Sequence, residues 1–321
     1  MTPVELSNKV YHDEEAARRH LEKIRWPDGK PSCPHCGVVD QARPLHGKSM
    51  GPGWFYCEAC QDKFTVRTGT VYERSHIPLH KWLLAFRLYA ASKKGFSAHQ
   101  LHRTLKITYK SAWFMAHRVR EAMRDTDPTP LGGEGKTIEA DETFIGKKEQ
   151  TSTFVSGIGW LPDEEKGVHA KMTVLTLVER GGRARSIKVD NLRSSDLRPH
   201  LVTTASRKSR LVTDEASYYK PIGREFAGHE SVNHSEKEWV RGDVHTNTVE
   251  NYFSVFKRGM RGTYQHCSEA HLQRYLSEFD FRYSNRARLG VDDAERTTLI
   301  AKGAEGKRLM YRQRPRKTIN A

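Results

Sequence analysis

Thr137-Ile-Glu-Ala-Asp-Glu-Thr-Phe144 is the stretch on which the fold turns. Side chains along a strand alternate between its two faces. Ile138, Ala140 and Phe144 therefore share one face with Glu142, and Glu139, Asp141 and Thr143 share the other. An otherwise good strand carries an acid, Asp141, on its polar face. Downstream, Met172 to Val178, Arg185 to Val189 and Leu211 to Asp214 also read as strands. Gly181-Gly182 marks a hairpin turn between the second and third. Arg210-Leu-Val-Thr-Asp-Glu215 ends in a second acid, Asp214. Helices are expected over Ser195 to Ala205, Thr246 to Arg261 and Ser268 to Asn285, so 136–290 reads as an α/β domain.

Within Thr246 to Arg261, Val249, Phe253, Phe256 and Met260 recur at helical spacing and form an apolar stripe. Glu250, Ser254, Lys257 and Arg261 form a polar one. Lys257 follows Glu250 by two turns, roughly 10.5 Å along the axis. Taken singly, each acid has an ordinary explanation. Asp141 or Asp214 could end a strand, and Glu250 could close a capping box with Asn247. Taken together, two strand acids and a helix acid can hold two Mg²⁺ (or Mn²⁺) ions about 3.5–4 Å apart. Such a pair activates water or a 3′-hydroxyl and stabilises the leaving oxygen of a phosphodiester. Lys257 would then meet a DNA phosphate.

Composition points to the same substrate. The 321 residues hold 54 Lys and Arg against 39 Asp and Glu, a net charge of +15. That excess suits a polyanion, most simply nucleic acid. The length suits two or three domains. No run approaches the roughly 20 apolar residues of a membrane span, and the first 20 residues lack the apolar core of a signal peptide, so a cytoplasmic protein is expected.

Cys33-Pro-His-Cys36 and Cys57-Glu-Ala-Cys60 are two C-x₂-C knuckles with 20 residues between them. That spacing suits one structural Zn²⁺ in a four-thiolate ribbon. The rival reading, two redox pairs, lacks a thioredoxin-like context. Trp54, Phe55, Tyr56 and Phe64 are expected to form the ribbon's apolar shell, and Cys267 stands alone. Phe96 to Met115 reads as helix, turn, helix, with Ser97 and Thr108 as caps. Lys106, Tyr109, Lys110, His117, Arg118 and Arg120 are left to face DNA if this is a helix-turn-helix. The plainer alternative is a helical connector with a solvated basic face. Asp127 to Gly135 is a linker by composition. The expected organisation is 1–72 (helix and zinc ribbon), 73–126 (basic, helix-turn-helix-like), 136–290 (α/β) and 291–321 (a basic tail, poorly ordered over Lys302 to Lys317).

With these residues in view, the chain resembles the insertion-sequence transposases of the IS1595 family, with an ISXO2-like catalytic domain. The resemblance rests on the ribbon, on Ile138-Glu-Ala-Asp-Glu-Thr143, Val212-Thr-Asp-Glu215, His245-Thr-Asn-Thr-Val-Glu-Asn251 and Phe256-Lys-Arg-Gly-Met-Arg-Gly-Thr-Tyr264. Leu272-Gln-Arg-Tyr-Leu-Ser-Glu-Phe279 and Arg282-Tyr-Ser-Asn-Arg286 continue it. It implies an RNase H-like catalytic domain with a DDE site. Asp141 and Asp214 would be the first two acids and Glu250 the third, with Lys257 as the basic residue. Asn247 is the alternative third member, ranked second because a carboxylate is the stronger ligand for a hard cation. His245 would line the site or support the helix start. Lys106, Tyr109, Lys110, Arg118, Lys257, Arg258 and Arg261 would contact DNA. The implied reaction is recognition of terminal inverted repeats, metal-dependent cleavage, and joining of 3′-ends to target DNA. It would take place in a bacterial cytoplasm at the nucleoid, within a dimer or larger assembly that synapses two ends. A DNA-binding regulator with an inactive α/β domain and a structure-specific nuclease are the rival functions.

Overall fold

The computed structural model describes residues 6–47, 50–148, 152–155, 159–162 and 171–310. The chain divides into two compact units. One gathers the residues up to 92, 96–124 and those from 292 onward. The other gathers 93–95 and 125–291.

In the first unit, helix α1 (Glu14–Arg25) starts at Asp13, whose carboxylate accepts the Ala16 N–H at 2.7 Å. Strands β1 (Ala42–Pro44), β2 (Trp54–Cys57) and β3 (Lys63–Thr65) form an antiparallel sheet. Trp26, Phe55 and Phe64 pack ring on ring beneath it, Trp26 edge-on to Phe55 and Phe55 stacked on Phe64. Trp54 instead points outward at 36% exposure, so the expected shell is corrected: Trp26, beyond the end of α1, takes its place. Helix α2 (Leu79–Ala91) buries Trp82, Leu83, Phe86 and Tyr89. Helix α3 (Ala98–Leu105) opens with a full capping box between Ser97 and Gln100, and α4 (Tyr109–Met123) with Thr108 accepting the Ser111 N–H. Lys106, in left-handed conformation at φ 50°, turns the chain between them.

The second unit is built on one mixed sheet, ordered β10-β9-β4-β7-β8. Strands β4 (Thr137–Ile145), β7 (Met172–Glu179) and β8 (Ala184–Val189) form an antiparallel run, β7 pairing with β4 on one side and β8 on the other. A separate hairpin, β5 (Ser152–Val155) with β6 (Gly159–Pro162), lies between β4 and β7 in sequence. Helix α5 (Ser194–Thr204) leads to β9 (Arg210–Thr213), and α6 (Tyr219–Gly223) leads to β10 (Gly228–Ser231); both strands are parallel to β4. Helices α7 (Asn247–Gly259) and α8 (Glu269–Ser284) close the unit.

Each face of the sheet has its own core. Val174 and Val178 of β7 pack with Val249, Phe253 and Phe256 of α7 and Leu272, Leu276 and Phe279 of α8. Ile138 and Ala140 of β4 pack with Leu197 and Leu201 of α5 and Tyr219 and Ile222 of α6. The alternation of Thr137 to Phe144 is thus realised with helices on both sides. This three-layer arrangement is the RNase H-like α/β architecture.

One polar cluster spans the first of these cores. Asp280 of α8 accepts hydrogen bonds from the Ser186 N–H (2.8 Å) and hydroxyl (2.7 Å) and from the Tyr252 hydroxyl (2.6 Å). It joins β8, α7 and α8 at one buried point. Burial outweighs those three donors and pushes its carboxyl up to about 7.

The 291–321 tail is corrected in part: it begins with a helix, and its described residues beyond Lys302 are packed, with Lys307 and Leu309 buried. Residues 293–302 form helix α9 (Asp293–Lys302), capped by Asp292, which accepts the Glu295 N–H at 2.8 Å. Ile300 and Ala301 are buried, Arg296 donates to the Ala90 carbonyl, and Lys307 donates to the carbonyls of Ala122 and Arg124. Asp292 and Glu295 were an unread helix start. Residues 311–321 lie outside the described part.

Candidate functional site

The four ribbon sulfurs converge. Cys33 Sγ lies 3.6 Å from Cys60 Sγ, and Cys36 Sγ lies 3.7 Å from Cys57 Sγ. A disulfide would need about 2 Å. A tetrahedron with Zn–S bonds of 2.3 Å has edges of roughly 3.8 Å, so these thiols fit a zinc ion. The two turns are alike: the Gly37 N–H returns to the Cys33 carbonyl, and the Gln61 N–H to the Cys57 carbonyl. The backbone N–H of Cys60 leads in pulling the Cys57 thiol down to about 7. Among the described residues, no other group of three or more His, Cys, Asp or Glu gathers within 4.8 Å. Cys267 is buried elsewhere and donates to the Ser268 carbonyl.

The basic helices divide their charges. Lys106, Tyr109 and Lys110 are exposed, and Tyr109 stacks on His99 with ring centroids 4.4 Å apart. His117 and Arg120 do not face outward; both are buried, Arg120 over the ring of Tyr89. Arg118 is also engaged, donating to the carbonyls of Leu309 and Glu73 and lying over Phe114. The partners of Arg118 and Arg120 come from distant segments, and α9 packs on the same helix so closely that a Cβ on Gly303 would meet the Ala122 carbonyl oxygen at 2.3 Å.

In the second unit, β4 pairs in parallel with β9 through Thr137↔Arg210, Ile138↔Leu211 and Glu139↔Val212. Continuing that register by two residues brings Asp214 level with Asp141, on strands about 4.8 Å apart. Burial is the main force pushing the Asp141 carboxyl up to about 7. The charges of Asp214 and Glu250 push the same way, and Lys257 opposes them. The four side chains therefore share one electrostatic neighbourhood. Each carboxylate is meanwhile turned to a local donor. Asp141 accepts the Glu142 N–H (2.7 Å), Asp214 the Ala216 N–H (3.1 Å) and Glu250 the Thr246 hydroxyl (2.8 Å). Burial and the charge of Glu215 also raise Asp214. Glu215 itself is held down to about 2, chiefly by the Ser235 hydroxyl and also by the N–H groups of His234 and Ser235. His234 Nε2 lies 3.8 Å from Glu250.

Helix α7 starts differently from its reading. Thr246 is the cap residue, with no side-chain capping bond, and Asn247 is the exposed first residue. The Asn247–Glu250 box is not formed. The N–H groups of Thr248 and Val249 donate instead to Glu139 Oε2, at 2.8 and 3.0 Å. Arg180 Nε donates to Glu139 Oε1 at 2.6 Å, and other Arg180 nitrogens donate to the carbonyls of Asp243 and His245. His245 therefore stands at the helix start. Glu139 had no assigned role; the signal was its place two residues before Asp141, on the same strand face. Glu142, on the other face, accepts the hydroxyls of Tyr218 and Tyr219, and burial pushes it up to about 8.

Along α7, Lys257 Nζ lies 6.0 Å from the Phe253 ring centroid and Arg258 Nε donates to the Ser254 carbonyl. Regular helix ends at Gly259, and Met260–Tyr264 widens into a π turn that carries the exposed Arg261. A Cβ on Gly259 would meet Phe279 at 2.5 Å and the Lys94 carbonyl oxygen at 2.7 Å, so only glycine permits this approach.

Known proteins match both units. Residues 12–63 match a transposase zinc-ribbon domain, and residues 130–284 match the ISXO2-like transposase domain of the IS1595 family. An uncharacterized protein in transposable element ISH50 of Halobacterium salinarum is 30% identical over 280 residues, covering 85% of this chain and 92% of that protein. Among solved structures, the Mos1 strand transfer complex has 10% identity and a TM-score of 0.29, over 70% of this chain and 78% of that one. A pre-cleavage Mos1 transpososome has 10% identity and a TM-score of 0.27, over 92% and 94%. Likeness at those scores carries no weight. No helix among the described residues is long and apolar enough to cross a membrane. The ribbon and transposase-domain matches, with a relative similar along nearly its whole length, show that the chain belongs to the ISXO2-like transposases of the IS1595 family.

Proposed function

We propose that this transposase cuts and joins DNA with a divalent metal held by Asp141, Asp214 and Glu250. The observation that carries the proposal is the pairing of β4 with β9. Its register, carried two residues beyond the last pair, faces Asp141 with Asp214, and the charges acting on Asp141 include Glu250 and Lys257 from α7, which supports this reading. The donors are all carboxylate oxygens, hard ligands that repel one another until a cation joins them, and such a set suits Mg²⁺ or Mn²⁺. When bound, the metal supplies an activated water or 3′-hydroxyl and charge stabilisation at the leaving oxygen. The residues around it orient the strand: Lys257 binds a phosphate near the scissile bond, and Arg258 and Arg261 extend that contact. Glu250 stands as third ligand ahead of Asn247, which lies one turn earlier at the helix start. In the first unit, Cys33, Cys36, Cys57 and Cys60 hold Zn²⁺, and Lys106, Tyr109 and Lys110 contact the element's terminal repeats. Two ends must be brought together, so the active form is a dimer or larger, working at the nucleoid.

The test is strand transfer by the purified chain with Mg²⁺ and labelled DNA carrying the element's ends. Asp214→Asn and Glu250→Gln should lose joined products by a factor of about 100 or more, with end binding intact. Asn247→Ala should lose far less. End binding without joining by the wild type would favour a regulator; cutting with no preference for ends would favour a nuclease.

A further inference from the structure

The start of α7 is capped by a side chain from another element. The first N–H groups of a helix have no partner within it, and they carry the positive end of its dipole. Local Ser, Thr, Asp or Asn side chains ordinarily satisfy them. Thr246 makes no such bond here. Glu139, on β4 and fully buried, takes both N–H groups on Oε2. Its Oε1 accepts the Thr248 hydroxyl (2.7 Å) and Arg180 Nε (2.6 Å). Both oxygens are thus committed. Arg180 then secures the approach to the helix through the carbonyls of Asp243 (2.7 Å) and His245 (2.9 Å).

Position gives this cap its consequence. Glu139 and Asp141 share one face of β4, about 6.7 Å apart along the strand. Glu250 lies in the first turn of α7, and its side chain returns to Thr246. A carboxylate that fixes the α7 start against β4 therefore fixes where Glu250 stands relative to Asp141. We infer that Glu139 is a positioning residue for the metal site, pinning the register of α7 on β4 through the Thr248 and Val249 N–H groups. It holds no metal itself, since all its acceptor positions face donors of the protein. The inference rests on the reading of Asp141, Asp214 and Glu250 as ligands.

The probe is Mn²⁺ alone, its binding to the full chain followed by electron paramagnetic resonance. Wild type, Asp214→Asn, Glu139→Gln and Thr248→Val are compared, with thermal melting alongside. Glu139→Gln keeps the shape but turns an acceptor into an NH₂ group facing donors. It should weaken Mn²⁺ binding 10- to 100-fold, as loss of an outer partner does at other metal sites. Thr248→Val, which removes one donor and leaves the charge, should weaken it less, about three- to tenfold, and keep the fold if Glu139→Gln does not. Kinetically, the Mg²⁺ concentration for half-maximal strand transfer should rise in the same order. A merely structural role would lower the melting temperature and leave Mn²⁺ affinity of the folded protein unchanged. Wild-type affinity in both folded variants, beside loss in Asp214→Asn, overturns the positioning role and spares the site. Mn²⁺ binding indifferent to Asp214→Asn overturns the site, and this inference with it.

Discussion

Asp280 shows how one buried acid sets a pH dependence for the fold. Its carboxyl is pushed up to about 7 in the folded chain, against an ordinary 3.8. Below the ordinary value both states are protonated. Between the two values, the folded chain keeps a proton that the unfolded chain has lost. Its contribution to stability is therefore complete at low pH and is lost as pH rises through about 7. The difference of about three pH units, at 1.36 kcal/mol each, caps the effect at about 4 kcal/mol. Asp280→Asn cannot ionise. Melting temperatures measured from pH 5 to pH 8 should fall more steeply for wild type than for the variant; parallel curves would remove Asp280 as the cause. At this scale, the sequence marked Asp141 and Asp214 because a strand's period of two separates its faces. It left Glu139, Glu142 and Asp280 unmarked, because their partners, Arg180, Tyr219 and Ser186, lie 41, 77 and 94 residues away along the chain.

Among the elements, α7 bears the most on the site, and its packing depends on Gly259. Alanine is the better helix former by about 1 kcal/mol. Here its methyl would press on Phe279 and on the Lys94 carbonyl oxygen, at 2.5 and 2.7 Å. Overpacking of this kind costs about 1–3 kcal/mol, so the net expected for Gly259→Ala is destabilisation. Urea unfolding should show a lower midpoint; a higher one would mean the α7–α8 contact is slack. The elements themselves were largely legible. β4, β7, β8 and β9, the helices α5, α7 and α8, and the caps Ser97 and Thr108 all follow from periodicity and capping chemistry. The side chains misread on α4 have their partners far along the chain, Arg120 at Tyr89 and Arg118 at Leu309 and Glu73. A helix's buried arc cannot be sized from its own sequence when a distant segment covers part of it.

On the scale of the whole molecule, composition was legible only in sum. The net +15 belongs to a chain some of whose cations are spent within it, Arg25 on Glu305, Arg180 on Glu139 and Arg210 on Glu230 and Asp243. The basic excess therefore suits a polyanionic partner without marking where one would lie. Nor does composition show that the first unit is discontinuous in sequence, with residues 125–291 set between its two parts. Its last described pieces, α9 and the segment to residue 310, fill positions against α2 and α4. A chain cut after residue 291 should keep a cooperative melt for the second unit and lose that of the first, although residues 1–124 are unaltered. Two undisturbed transitions would show that α9 is dispensable. In the cell, this split sets an order of events on the ribosome. Residues 125–291 emerge before α9 exists and can fold while translation continues, whereas the helices that precede them must wait, unfinished, until α9 has been made.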